Sequence, residues 1–169
     1  MPIIEVMDAF YTLEELGGED FDDWNIFGSG NAVVSASPLG QRVAIACGTE
    51  DGPLKVELQL IDAPPTRLAT GWEDIAEVTI ISRYGRDFVR IGGSGEPDPA
   101  FPRLRLAEGT YRLRVHVIGR DQARALGPIV ESPVESQLLV VWPAPPAPPE
   151  LLQATDTYGQ ILRRQLGTA

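Results

Sequence analysis

One cysteine, one histidine and one lysine in 169 residues leave this chain short of the usual reactive groups. Cys47 has no second thiol to pair with, and with His116 it falls short of the four N/S ligands of a structural zinc site. No apolar run approaches the roughly 18 residues that a membrane span requires. The first eight residues carry Glu5 and Asp8 where a secretory signal needs an unbroken apolar stretch, so a reduced, cytoplasmic setting is expected. Positive charge is scarce too. The formal net charge is −10, and residues 1–62 hold 12 carboxylates against Arg42 and Lys55 alone, while residues 63–169 hold 12 charges of each sign. Without a basic footprint, binding to nucleic acid through its phosphates is not expected. The excess negative charge gathered toward the amino end suits a basic protein partner.

What is present is ordinary globular material, 43% apolar and 22% charged, enough for one domain over residues 1–169 without disulfides or metal. Apolar residues recur at every second position in Lys55 to Leu60 and in Tyr111 to Val117, the period of a strand with one face inward. Val43, Ile45 and Cys47 form a third inward set. Ile3 to Tyr11, Ala32 to Ser37, Asp74 to Tyr84, Asp87 to Ile91 and Gln137 to Trp142 complete about eight strands. The segments between them are rich in Gly, Pro, Asn and Asp, as in Gly28-Ser29-Gly30-Asn31 and Glu50-Asp51-Gly52-Pro53. The pattern predicts an all-β fold, a Greek-key β-sandwich. One short helix is expected at the end, Asp156 to Leu166, capped by Asp156 and stopped by Gly167.

Leu106-Ala107-Glu108-Gly109-Thr110-Tyr111 leads into an alternating strand in the manner of a tyrosine corner, where the phenol turns back to a nearby backbone group. Five prolines in Pro143 to Pro149 end the preceding strand and form a stiff spacer.

Catalytic and metal constellations are missing. His116 sits on the polar row of its strand with Arg112 and Arg114, which reads as a surface imidazole, and no Gly-x-Ser-x-Gly elbow supplies it a nucleophile. Cys47 falls on an apolar row and reads as a buried thiol. Gly28-Ser29-Gly30 and Gly92-Gly93-Ser94-Gly95 lack the Lys-Ser/Thr of a phosphate loop. Asp20-Phe21-Asp22-Asp23 lacks the glycine and distal glutamate of an EF-type calcium loop. No catalytic residue, metal ligand or cofactor is therefore assigned.

The candidate binding residues are Glu14, Glu15, Glu19, Asp20, Phe21, Asp22, Asp23 and Trp24. Six carboxylates steer a basic partner, and Phe21 and Trp24 supply apolar anchors. The bland reading is a solvated loop pinned by its aromatics. Two other function classes stay open: a carboxylate-dependent glycan-binding or glycan-hydrolysing protein with Trp24 or Trp72 as a sugar platform, and a structural or assembly subunit.

Trp72-Glu73-Asp74, Gly109 to Val115 running on to Gly119-Arg120-Asp121, and Glu135 through Leu138-Leu139 to Trp142-Pro143-Ala144 resemble a group of small bacterial β-sandwich proteins, mostly uncharacterised, related to the competence protein ComJ. That resemblance implies a non-catalytic module, of inhibitor or immunity type, that occludes a partner such as a nuclease or toxin. Its matching residues are structural, and the acidic run lies outside them, so it assigns no binding residue.

Overall fold

A computed structural model describes residues 1–18 and 24–167. The chain runs β1 (Ile3–Val6), β2 (Phe10–Glu15), β3 (Val34–Ala36), β4 (Arg42–Ala46), β5 (Gly52–Leu60), β6 (Asp74–Ser82), β7 (Asp87–Arg90), β8 (Leu104–Arg105), β9 (Gly109–Ile118), α1 (Arg120–Ala125), β10 (Ser136–Pro143), β11 (Glu150–Ala154) and α2 (Thr157–Gln165). One sheet has the order β1-β5-β10-β9-β6-β11 and the other β3-β4-β2-β7-β8. All pairings are antiparallel except β5 with β10. Their facing sides close on one apolar core in which Ile45, Leu54, Val56, Val115, Val117 and Leu139 are fully buried. Each such side chain contributes about 1.5–3 kcal/mol by leaving water.

The chain has more elements than the sequence pattern announces. The expected strand from Ile3 to Tyr11 divides because Asp8 and Ala9 both take positive φ, 60° and 63°, and turn the chain from one sheet into the other. β8 is two residues long, and β11 follows the prolines without polar alternation. α1 has the sequence RDQARA and buries only Arg120 and Ala123, so it shows no apolar stripe to the eye. The corner and the terminal helix form as expected. Tyr111 Oη donates to the Ala107 carbonyl at 2.8 Å, and Asp156 caps α2 by accepting from Gly159 N at 2.6 Å.

One expectation is overturned. Arg112, Arg114 and His116 do not lie on a solvated face: every residue from 111 to 117 is buried. β9 is an interior strand between β10 and β6, and its polar row is covered by large neighbours. Glu77 receives Arg114 Nε at 2.6 Å and Arg112 Nη2 at 3.2 Å, Trp142 lies 5.3 Å beneath the Arg114 guanidinium, and Trp72 packs on the His116 ring at 5.6 Å. Burial lowers the His116 pKa, and its Nδ1 lies 3.1 Å from the Leu138 carbonyl. A strand whose two faces are both covered keeps its period of two but no longer separates solvent from core.

The Pro-rich spacer packs at Ala147, whose carbonyl accepts from Arg112 Nη1 at 2.8 Å and from Thr79 Oγ1 at 3.0 Å. It carries the chain past β9 and β6 to seat β11 at the sheet edge, three strand positions from β10 or about 14 Å.

Candidate functional site

Among the candidate residues, Glu14, Glu15 and Trp24 fall within the described part of the chain; Glu19, Asp20, Phe21, Asp22 and Asp23 lie outside it. The described ones take three different roles. Alternation along β2 sends Tyr11, Leu13 and Glu15 inward and Glu14 outward. Glu15 is 2% exposed, so it drops out of any docking face. Its carboxylate accepts from Gln41 Nε2 at 2.8 Å, Tyr84 N at 2.9 Å, and both Arg83 N and Ser82 Oγ at 3.0 Å, and so pins the β6–β7 turn to the end of β2. The sequence held this signal, since Glu15 continues the row of Tyr11 and Leu13, but the adjacent acids mask it.

Burial by itself would raise the Glu15 pKa; the hydrogen bonds from Gln41, Tyr84, Arg83 and Ser82 outweigh it and hold the carboxyl below its ordinary value. A depressed folded-state pKa gives stability that is present above the unfolded value and is lost as pH falls through the folded one. Glu15→Gln turns an amide N–H₂ toward donors and is expected to cost about 1–3 kcal/mol at pH 7. The gap between wild type and variant in urea midpoint should narrow at acidic pH; an equal gap at both would contradict this role for the charge.

Glu14 faces Arg42 across the β2–β4 pair at 3.2 Å, with both side chains about one-third exposed. The Arg42 guanidinium stands 5.7 Å from the Trp24 ring centre, within the range of a cation–π contact. Glu14 therefore helps hold Arg42, and Arg42 covers Trp24. Trp24 is half-buried at a cleft of about 460 Å³ that opens between β3 and β6, with Ser35, Gly40, Thr79 and Pro149 also on its walls. The cleft exists because β11 stops pairing with β6 at Glu77, and the Gly40 carbonyl takes up the Ile81 N–H at 2.8 Å farther along. Sequence reasoning did not single out Ser35, Gly40 or Thr79, whose meeting depends on contacts between the two sheets.

No family model and no curated protein matches the chain. Solved structures do. The protein of crocagin biosynthetic gene J superposes with a TM-score of 0.53 at 14% identity, covering 85% of this chain and 97% of its own. ComJ of Bacillus subtilis, described as the inhibitor of the DNA-degrading activity of NucA, superposes with a TM-score of 0.56 at 8% identity, covering 85% and 94%. The chain thus resembles ComJ in fold over most of both lengths, the resemblance suggested by residues 72–144. At these identities the likeness is one of fold.

One further polar cluster is interior. Glu135 is fully buried and accepts from Thr49 N at 2.7 Å, Thr49 Oγ1 at 2.9 Å and Gln137 Nε2 at 3.1 Å, while Tyr11 Oη donates to Gln137 Oε1 at 2.8 Å. Burial raises the Glu135 pKa and pushes the Cys47 thiol well up, as suits an inert thiol. No group of three His, Cys, Asp or Glu side chains placed to hold a metal ion occurs among the described residues, and no described helix is long and apolar enough to cross a membrane.

Proposed function

We propose that this chain is a non-catalytic protein-binding module of inhibitor or immunity type, which occludes a basic partner such as a nuclease or toxin. The docking face is formed by the acidic segment from Glu19 to Asp23 together with Trp24, working in the cytoplasm. The observation that carries the reading is the position of Trp24: a half-exposed aromatic at a cleft, directly following four carboxylates in sequence. Acids in that place raise the encounter rate, and the indole supplies the apolar anchor. Arg112 and Arg114 pair with Glu77, Arg120 and Arg163 with Asp74, and Arg103 and Arg105 with Asp87, while Arg42 stands over Trp24 and pairs with Glu14. A fold like that of ComJ, itself a nuclease inhibitor, agrees with this role. Among the described residues, the lining of the Trp24 cleft holds no carboxylate.

Changing Glu19, Asp20, Asp22 and Asp23 together to Gln or Asn should abolish capture of the partner from the organism's own lysate, with the fold intact by circular dichroism. Full retention of every partner by the quadruple variant would remove the proposal.

A further inference from the structure

The opposite end of the molecule carries a second, independent surface. Met7 is 65% exposed, Leu126 56% and Ile129 71%, and what sets them apart is that they lie together. Hydrogen bonds gather them. The β1–β2 turn is tied by Ala9 N to the Glu50 carbonyl at 3.0 Å and by Asp8 N to Asp51 Oδ1 at 3.1 Å. Asp51 in turn bridges the loop after α1, donating to the Pro128 carbonyl at 3.0 Å and accepting from Val130 N at 2.9 Å. Met7 and Ile129 therefore flank Asp51. A hollow of about 380 Å³ opens along Leu126, Ile129, Val130 and Glu131.

The turn that presents Met7 is held in a costly shape. Ala9 at φ 63° occupies the left-handed region that an alanine rarely adopts, with Asp8 beside it at φ 60°. Alternation along β1, with Ile4 and Val6 inward, turns Met7 outward, and this fixed turn follows it.

Charge selects the occupant. Asp8 and Glu131 are exposed and Asp51 is half-exposed around the apolar centre, while the nearby Arg124 is engaged by Glu50 at 2.9 Å and stacks on Tyr158 at 4.4 Å. A second copy of a chain with net charge −10 would bring like charge to like. We propose that this end of the sandwich docks a cationic amphipathic protein element, one that sets aliphatic or aromatic side chains among arginines or lysines. An apolar centre with a charged rim is the ordinary anatomy of such an interface, and methionine adapts to irregular partners. β2 separates this surface from the Trp24 cleft by six residues, roughly 20 Å, so each can fail without the other.

The test uses methyl NMR on the full chain, in which Met1 and Met7 are the only methionines. A helical Leu/Lys peptide is titrated in, with a Ser/Lys peptide of equal charge as control. The Met7 methyl and the Ile129 δ1-methyl should shift with the Leu/Lys peptide and not with the control, and added salt should weaken binding. Met7→Ser with Ile129→Ser, both on the surface, should lower affinity at least about tenfold while leaving the spectrum otherwise folded. Shifts confined to other regions, equal response to the control, unchanged affinity of the double variant, or concentration-dependent dimerisation through these methyls would each overturn the proposal.

Discussion

Arg120→Met is expected to cost about 3–5 kcal/mol of folding free energy, the range for breaking a buried ion pair from one side. Arg120 is 0% exposed. Its Nε donates to Asp156 Oδ2 at 2.5 Å, its Nη2 to Asp74 Oδ2 at 2.8 Å and to Asp156 Oδ1 at 3.0 Å, and its Nη1 to the Ala32 carbonyl at 2.6 Å. Asp74 keeps Arg163 at 2.9 Å when Arg120 is removed. Asp156 keeps no such partner. Burial already raises its pKa against the pull of Arg120, so the variant leaves a desolvated carboxyl with no cation beside it and only the cap hydrogen bond from Gly159 N. The same carboxylate caps α2 and the Asp156 N–H bonds Asp74 Oδ1 at 3.0 Å, so the loss reaches the helix and the chain leading to it. Space there is closed as well. A methyl at Gly159 would stand 2.5 Å from Arg120 Nη2, Asp156 Oδ1 and Asp74 Oδ2, which is why α2 carries glycine at this turn. Thermal denaturation should show Arg120→Met melting roughly 6–20 °C below wild type. A change of a degree or two would mean that desolvation of the cluster nearly cancels its attraction.

Trp24→Ala should speed dissociation of the partner by about thirtyfold or more, the loss of at least about 2 kcal/mol typical of an aromatic hot spot. Its association rate should hardly move, because truncating the ring leaves the charges of the segment in place. The ring does not need ordering on binding: Arg42 lies over it at 5.7 Å and is itself held by Glu14 at 3.2 Å. Surface plasmon resonance against the captured partner separates the two rates. An unchanged dissociation rate would make Trp24 a wall of the cleft and no anchor.

The strand period in Tyr111 to Val117 placed β9 correctly and misplaced one of its faces, because alternation reports two sides of a strand without saying what covers them. Arg112, Arg114 and His116 are shielded by Trp72, Trp142 and the Ala147 segment, each at least 28 residues away in sequence. Local capping signals fared better. Asp156, Gly109-Thr110-Tyr111 and the proline run each act within a few residues, so their geometry was readable without the rest of the fold. Charge was legible as a count and illegible as a location. Glu14 and Glu15 belong to one acidic run in sequence, yet one meets Arg42 near solvent and the other is enclosed by backbone N–H groups from the β6–β7 turn. β11 went unseen because its pairing with β6 spans the proline crossover, and Leu151 and Leu152 give no period of two.

The most direct measurement is the association rate of the partner with wild type and with the Glu19, Asp20, Asp22 and Asp23 quadruple variant, across ionic strengths from about 0.01 M to 0.5 M, where the screening length falls from about 30 Å to a few ångström. Steering by the acidic segment predicts a wild-type rate that falls steeply with salt and a variant rate that is at least tenfold slower at low salt and nearly flat. Two parallel curves of equal height would contradict it.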